Sequence, residues 1–199
     1  MKTIILFFFF ALASCSKDNN TVPDQLPPIT QTGANTAGCI INGKVLIPKN
    51  GSQAIGGPPS YGLTTGAGNN FHPPTIGKDY FYVRLANLKD NGGDDIYLHL
   101  NNMSLGATTY NLEQSNNDFF DDASDNPQII AHIYDGVHLG KTFLSGSNAG
   151  TVTITRFDYY NGIYSGIFSA TLYNEDNPSE KIQITEGRFD IKIATLNSK

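Results

Sequence analysis

The densest chemistry in this 199-residue chain is acidic. Asp118, Asp121, Asp122 and Asp125 surround Phe119-Phe120. On a helix these carboxylates would share one face and repel at i,i+4. A loop, or a bound hard cation, relieves that. Calcium takes about six to eight oxygen ligands, so the four aspartates are calcium candidates, set against a solvated loop held down by its two phenylalanines. The acidic stretch Lys89 to Asp95 lacks the Asp-x-Asp-x-Asp-Gly spacing and reads as a hairpin loop. His132 and His138 have no Cys, Asp or Glu at zinc-ligand spacing around them. His99 is expected on the solvated face of its strand. Gly162-Ile163-Tyr164-Ser165-Gly166 misses the spacing of a nucleophile elbow and lies between strands. Gly66-Ala67-Gly68 lacks the third glycine and the following helix of a nucleotide loop. No nucleophile, zinc or acid/base signature appears, so no catalytic residue is assigned and no cofactor is expected apart from calcium. Four tyrosines, Tyr82, Tyr97, Tyr134 and Tyr173, take the outward parity of their strands. They are the candidates for ligand contact, with ordinary strand composition as the competing account.

The other chemically marked position is Cys15. Lys2 precedes an apolar run from Ile4 to Leu12, and Ala13-Ser14 lead into the cysteine. A basic start, a short apolar stretch and small residues before a cleavage point describe a secretory signal over 1–14. The run is shorter than the roughly 20 residues that cross a bilayer. Leu12-Ala13-Ser14-Cys15 resembles the lipobox of bacterial lipoproteins. That resemblance implies lipidation of Cys15, and several acyl chains give stable anchoring where one does not. Ser16 is not the aspartate that retains some lipoproteins at the inner membrane, so an outer-membrane location is expected. Lys17-Asp18 resembles the export signal of surface lipoproteins, which leaves both the periplasmic face and the cell surface open.

The chain carries a net charge of −5. It has no basic footprint for nucleic acid and no basic patch for anionic lipid. There are two cysteines. With Cys15 lipidated, Cys39 has no disulfide partner within the chain. Its apolar setting, Gly38-Cys39-Ile40-Ile41, reads as a buried thiol packed like a small hydrophobe.

Residues 15–36 contain Pro23, Pro27 and Pro28, many polar residues and no aromatic. This composition predicts a flexible tether behind the lipidated cysteine. Asn42-Gly43 between β-branched runs then predicts a hairpin with strands at about 37–41 and 44–48. The segments Leu26-Pro27-Pro28, Thr30-Gln31-Thr32-Gly33, Asn35-Thr36, Gly38-Cys39 and Asn42-Gly43-Lys44-Val45 resemble the opening of an uncharacterised family of Bacteroidetes lipoproteins. Ile184-Thr185-Glu186-Gly187-Arg188-Phe189-Asp190-Ile191 resembles that family's ending. The resemblance implies an exported, lipid-anchored domain and lends no catalytic residues.

Lys49 to Lys78 is rich in Gly, Pro, Asn and Ser and reads as a long loop. Beyond it, period-two alternation marks strands at Tyr80 to Asn87, Ile96 to Leu100, Gln128 to Asp135, Thr151 to Phe157, Tyr164 to Asn174 and Lys181 to Ile193. The last changes parity between Ile184 and Phe189, which requires one extra residue, and Gly187 is the expected bulge. At least eight short strands with Gly/Asn turns predict an all-β, single-domain antiparallel β-sandwich over 37–199, with a closed or partly open barrel as the alternative. The function expected is non-catalytic binding at the cell envelope, to a glycan, a peptide or an envelope protein. An accessory subunit of an envelope complex is the second choice, and a glycan-active hydrolase the third.

Replacing Cys15 by Ala is expected to abolish incorporation of labelled fatty acid and to release the protein from the membrane fraction. Two or more acyl chains are what make anchoring stable.

Overall fold

The computed structural model describes residues 24–52, 57–67, 80–89, 93–101, 103, 106–118, 126–134 and 140–198. Cys15, with the rest of residues 1–23, lies outside them. Ten strands form one antiparallel sheet: β1 (Thr36–Ile41), β2 (Lys44–Leu46), β3 (Leu63–Ala67), β4 (Tyr80–Ala86), β5 (Asp95–Asn101), β6 (Thr109–Asn111), β7 (Gln128–Ile133), β8 (Lys141–Asp158), β9 (Ile163–Asn174) and β10 (Lys181–Lys192). Their order is β2-β1-β10-β9-β8-β7-β5-β4-β3, with β6 beside β8. The predicted Asn42-Gly43 turn is present, and both residues take positive φ, 46° and 83°.

The sheet curls strongly and stays open, which places it between a sandwich and a partly open barrel. Phe81 of β4 and Tyr164 of β9 show the curl. Three strands separate them in the sheet, yet their ring centres are 5.3 Å apart. The chain just beyond the edge strand β2 also reaches the end of β4. The Lys49 N–H, just beyond β2, donates to Ala86 O at 3.0 Å, and the Leu88 N–H donates back to Lys49 O at 2.9 Å. The inward residues are those the alternation marks: Phe81, Val83 and Leu85; Ile96, Leu98 and Leu100; Phe168, Ala170 and Leu172; Ile182, Ile184, Phe189 and Ile191. Each large one contributes about 1.5–3 kcal/mol by burial.

Several expectations are corrected. His99 is not solvated: it is 2% exposed and stacks on the Tyr80 ring at 5.5 Å. The stretch 49–78 is not all loop, because β3 lies within it. The strand expected from Thr151 starts ten residues earlier, at Lys141. Gly146, Asn148 and Gly150 lie in or at the edge of a bulge, where β8 advances five residues against two on β9 between Ser145 and Gly150.

The bulge in β10 is where the parity change puts it. Both neighbours lose register there, β9 between Ile184 and Gly187 and β1 between Gly38 and Ile40. The left-handed residue is Glu186, φ 51°, rather than Gly187. Gly187 is required for another reason. A Cβ on it would fall inside the Phe168 ring's van der Waals surface. Arg188 holds the distortion, donating to the Glu186 carbonyl at 2.9 Å and to its carboxylate at 3.0 Å.

The tether expectation also fails from Asp24 onward. Residues 24–35 run as a strap across the sheet, and their hydrogen bonds converge on one buried carboxylate, Asp190, 2% exposed. It accepts the Thr30 hydroxyl at 2.6 Å and the N–H groups of Thr32 (3.0 Å), Gly33 (2.8 Å) and Ala34 (3.1 Å). Ser165 of β9 adds its hydroxyl at 2.7 Å. Burial alone would raise this carboxyl's pKa, but the bonds from Thr30, Ala34, Ser165 and Gly33 outweigh it and bring it down to about 2. Arg156 donates to Gln31 O, and Arg188 to Pro27 O at 3.3 Å. Asp24 closes the strap on Lys49 at 2.6 Å.

Gly187→Ala is expected to cost about 2–3 kcal/mol by overpacking against Phe168. Glu186→Gly, which relieves the left-handed backbone, should cost far less. Urea unfolding of the two variants separates close approach from backbone strain as the reason for the glycine.

Candidate functional site

Register brings two of the four marked tyrosines, Tyr97 and Tyr173, into one cross-strand row. Arg84 of β4 pairs with Tyr97 of β5, Tyr97 with Ile130 of β7, and Ile130 with Leu144 of β8. Leu144 pairs with Tyr173 of β9, and Tyr173 with Lys181 of β10. With the core residues facing inward, alternation puts this row on the outer surface. A cation caps each end. The Arg84 guanidinium carbon is 5.2 Å from the Tyr97 ring centre, and Lys181 Nζ is 5.0 Å from that of Tyr173. Such contacts add about 0.5–1 kcal/mol at exposed sites. Ile130 is 1% exposed and lies outside the main core cluster, a buried point on the outer face that alternation places correctly without showing its burial.

The Arg84 end is built around Asp95. Its carboxylate accepts Arg84 Nη2 at 2.8 Å and contacts His132 Nδ1 at 2.7 Å. Burial would raise the Asp95 pKa, but the hydrogen bonds from His132 and Arg84 prevail and lower it. Burial also pushes the Tyr97 hydroxyl above the usual tyrosine range, with Arg84 opposing. The Tyr97 and His132 rings meet edge to face at 6.4 Å. Tyr82 lies over Gly66 of β3, where any Cβ would strike its ring. Tyr134 follows β7, and its N–H donates to Asp94 at 2.9 Å. Three of the four candidate tyrosines therefore gather at β4, β5 and the end of β7 around fixed ion pairs.

Tyr173 stands further along the row and borders a cleft. The cleft holds about 430 Å³ and is lined by Gln114, Leu144, Gly146, Ser147, Tyr173, Asn174, Glu175 and Pro178. The β8 bulge shapes one wall. Its Asn148 takes φ 58° and donates its N–H to Leu112 O at 2.8 Å. The opposite wall is the β9–β10 turn. There the Asn174 amide donates to Glu180 at 2.7 Å and its oxygen accepts the Asp176 N–H at 2.9 Å. Asn117 Nδ2 donates to Glu175 at 3.0 Å. The result is an aromatic wall with an amide, a hydroxyl and a carboxylate at its rim. Sequence reading finds Tyr173 but not Gln114, Ser147 or Glu175, because they come from separate segments with no shared spacing.

Of the calcium candidates only Asp118 is among the described residues. Its N–H donates to Asn116 Oδ1 at 3.2 Å, and its carbonyl accepts Gln128 Nε2 at 2.9 Å. Asp121, Asp122 and Asp125 lie outside them. Among the described residues no group of three His, Cys, Asp or Glu could hold a metal ion. Cys39 is buried, and burial pushes its thiol up to about 12, so it stays protonated and inert. No family model, curated protein or solved structure matches the chain.

Proposed function

We propose that this chain is a lipid-anchored, non-catalytic binding module of the bacterial outer envelope, held through Cys15, and that the cleft beside Tyr173 receives a sugar unit of a glycan. The observation that supports the ligand class is the cleft's make-up: one flat aromatic face, with Gln114, Ser147, Asn174 and Glu175 around it. A sugar offers the matching surfaces, a C–H face for the ring and hydroxyls for amide and carboxylate. A concave site with a few convergent polar groups is the common form of a small-ligand pocket. Anchoring rests on the lipobox resemblance, and the envelope setting on the resemblance to Bacteroidetes lipoproteins. A mature chain without Lys2 carries −6, which disfavours polyanionic ligands such as nucleic acid.

The test is a glycan array probed with the Cys15→Ala protein and its Tyr173→Ala partner. The expected outcome is binding to a defined glycan that weakens at least tenfold, about 1.4 kcal/mol, on loss of the ring, while the thermal midpoint stays close to the parent's. A blank array, with a stoichiometric partner on purification from membranes, would replace this reading with that of an accessory subunit.

A further inference from the structure

The turn between β8 and β9 is a firm structure that displays two phenols. Asp158 fixes it. Its carboxylate accepts the Asn161 N–H at 3.1 Å and side-chain amide at 2.9 Å, and pairs with Arg156 at 2.6 Å. Gly162, φ 61°, completes the turn. On this frame Tyr160 is 96% exposed and Tyr159 37%, their rings edge to face at 5.7 Å. Ile193, 44% exposed, lies alongside, its N–H donating to Gly162 O at 2.9 Å. Three large amphipathic or apolar side chains thus project from one end of the sheet.

The strap joins the sheet at the same end, while its outer end, Asp24, is tied to Lys49 just beyond β2. Gly33 packs against Lys192 and Ile163, and Asn35 accepts the Lys192 N–H at 2.8 Å. Gln25 and Pro27 share a cleft of about 370 Å³ with Thr195, Leu196 and Asn197, which follow Ile193 closely in the chain. From Asp24 back to Cys15 there are nine residue steps. They reach at most about 30 Å fully extended and about 15–18 Å as a coil.

We infer that Tyr159, Tyr160 and Ile193 form a membrane-seating surface, resting in the headgroup layer of the bilayer that holds Cys15. This rests on the anchoring proposed above. Tyrosine favours that layer because its ring is apolar and its hydroxyl stays wet. The chain is acidic overall, with a net charge of −5, so attraction to anionic lipid is weak and an amphipathic tip suits the contact. One consequence concerns the cleft. Tyr173 and Lys181 stand at the opposite end of β10 from Lys192. Eleven steps along a strand are about 35 Å. The seated protein therefore holds its Tyr173 cleft away from its own membrane, toward a glycan beyond the headgroups.

The chain contains no tryptophan, so Tyr160→Trp introduces a sole reporter at the tip, and Tyr173→Trp a matching one at the far end. Each variant, produced from Cys15 onward in the cytoplasm so that its thiol stays unacylated, is coupled through that thiol to a maleimide-headgroup lipid in phosphatidylethanolamine–phosphatidylglycerol vesicles. The buried, protonated Cys39 does not compete. This coupling supplies an anchor without any cellular acylation. The expected result is that the indole emission of the Tyr160→Trp variant shifts to the blue on coupling and is quenched by brominated lipid, as for an interfacial residue. The Tyr173→Trp variant should show neither the shift nor the quenching. An unshifted, unquenched emission from the tip variant, or a response as strong from the far-end variant, overturns the seating surface. Failure of fatty-acid labelling at Cys15 in cells would instead remove the anchoring reading and leave the vesicle result to stand or fall by itself.

Discussion

The Asp190 carboxylate is the constraint around which the rest of this fold is arranged. A charge held at 2% exposure is tolerated only when its oxygens are fully hydrogen-bonded. Here the strap supplies most of the donors, from a segment some 160 residues away in the chain, and β9 supplies another. The strap has little apolar surface of its own. Charge-assisted bonds, shorter and stronger than neutral ones, take the place of a hydrophobic anchor. Gly33 makes this possible: φ 77° turns its N–H toward the carboxylate, and a Cβ there would collide with Lys192. Because the folded carboxyl titrates near 2 and the free one near 3.8, the latch's contribution is complete above about pH 4 and is lost as pH falls through 2. It therefore holds throughout the neutral and mildly acidic range.

The two bulges translate this local tie into overall shape. One extra residue at Glu186 bends β10 between the stretch that carries Ile182 and Ile184 and the stretch that carries Phe189 and Ile191. Each stretch keeps its apolar side chains inward, which a regular strand with this sequence would not do. The larger bulge in β8 lets an 18-residue strand follow the curl and leaves a wall beside Tyr173. Curling in turn brings Lys49, beyond β2, onto the end of β4 and Phe81 onto Tyr164, while the sheet stays open. The cleft at one end of β10 and the latch at the other are thus products of the same bent strand.

Much of this was legible in the chain. The all-β class, the Asn42-Gly43 hairpin, the inward rows of β4, β5, β9 and β10, and the β10 slip all follow from period-two alternation and turn chemistry. What escaped has identifiable physical causes. Asp190 sits between two inward residues, so alternation assigns it to an outer face. That face is covered by a strap whose polar composition argues against ordering, and only the pairing of the two segments reveals the burial. Thr30 to Gly33 and Asp190, far apart in the sequence, turn out to meet. β3 hides in a Gly-rich stretch because its partner β4, with Tyr82 lying over Gly66, decides its state rather than its own propensity. Parity finds Tyr97 and Tyr173. It does not show that register links them through Ile130 and Leu144, nor that Gln114, Ser147 and Glu175 arrive beside Tyr173.

The latch is tested most directly by amide hydrogen exchange of the intact protein near neutral pH, read at Thr32, Gly33 and Ala34. The account predicts that these three amides exchange as slowly as those at the centre of β10, opening only with global unfolding. Exchange at the rate of a free peptide while β9 and β10 remain protected would contradict it.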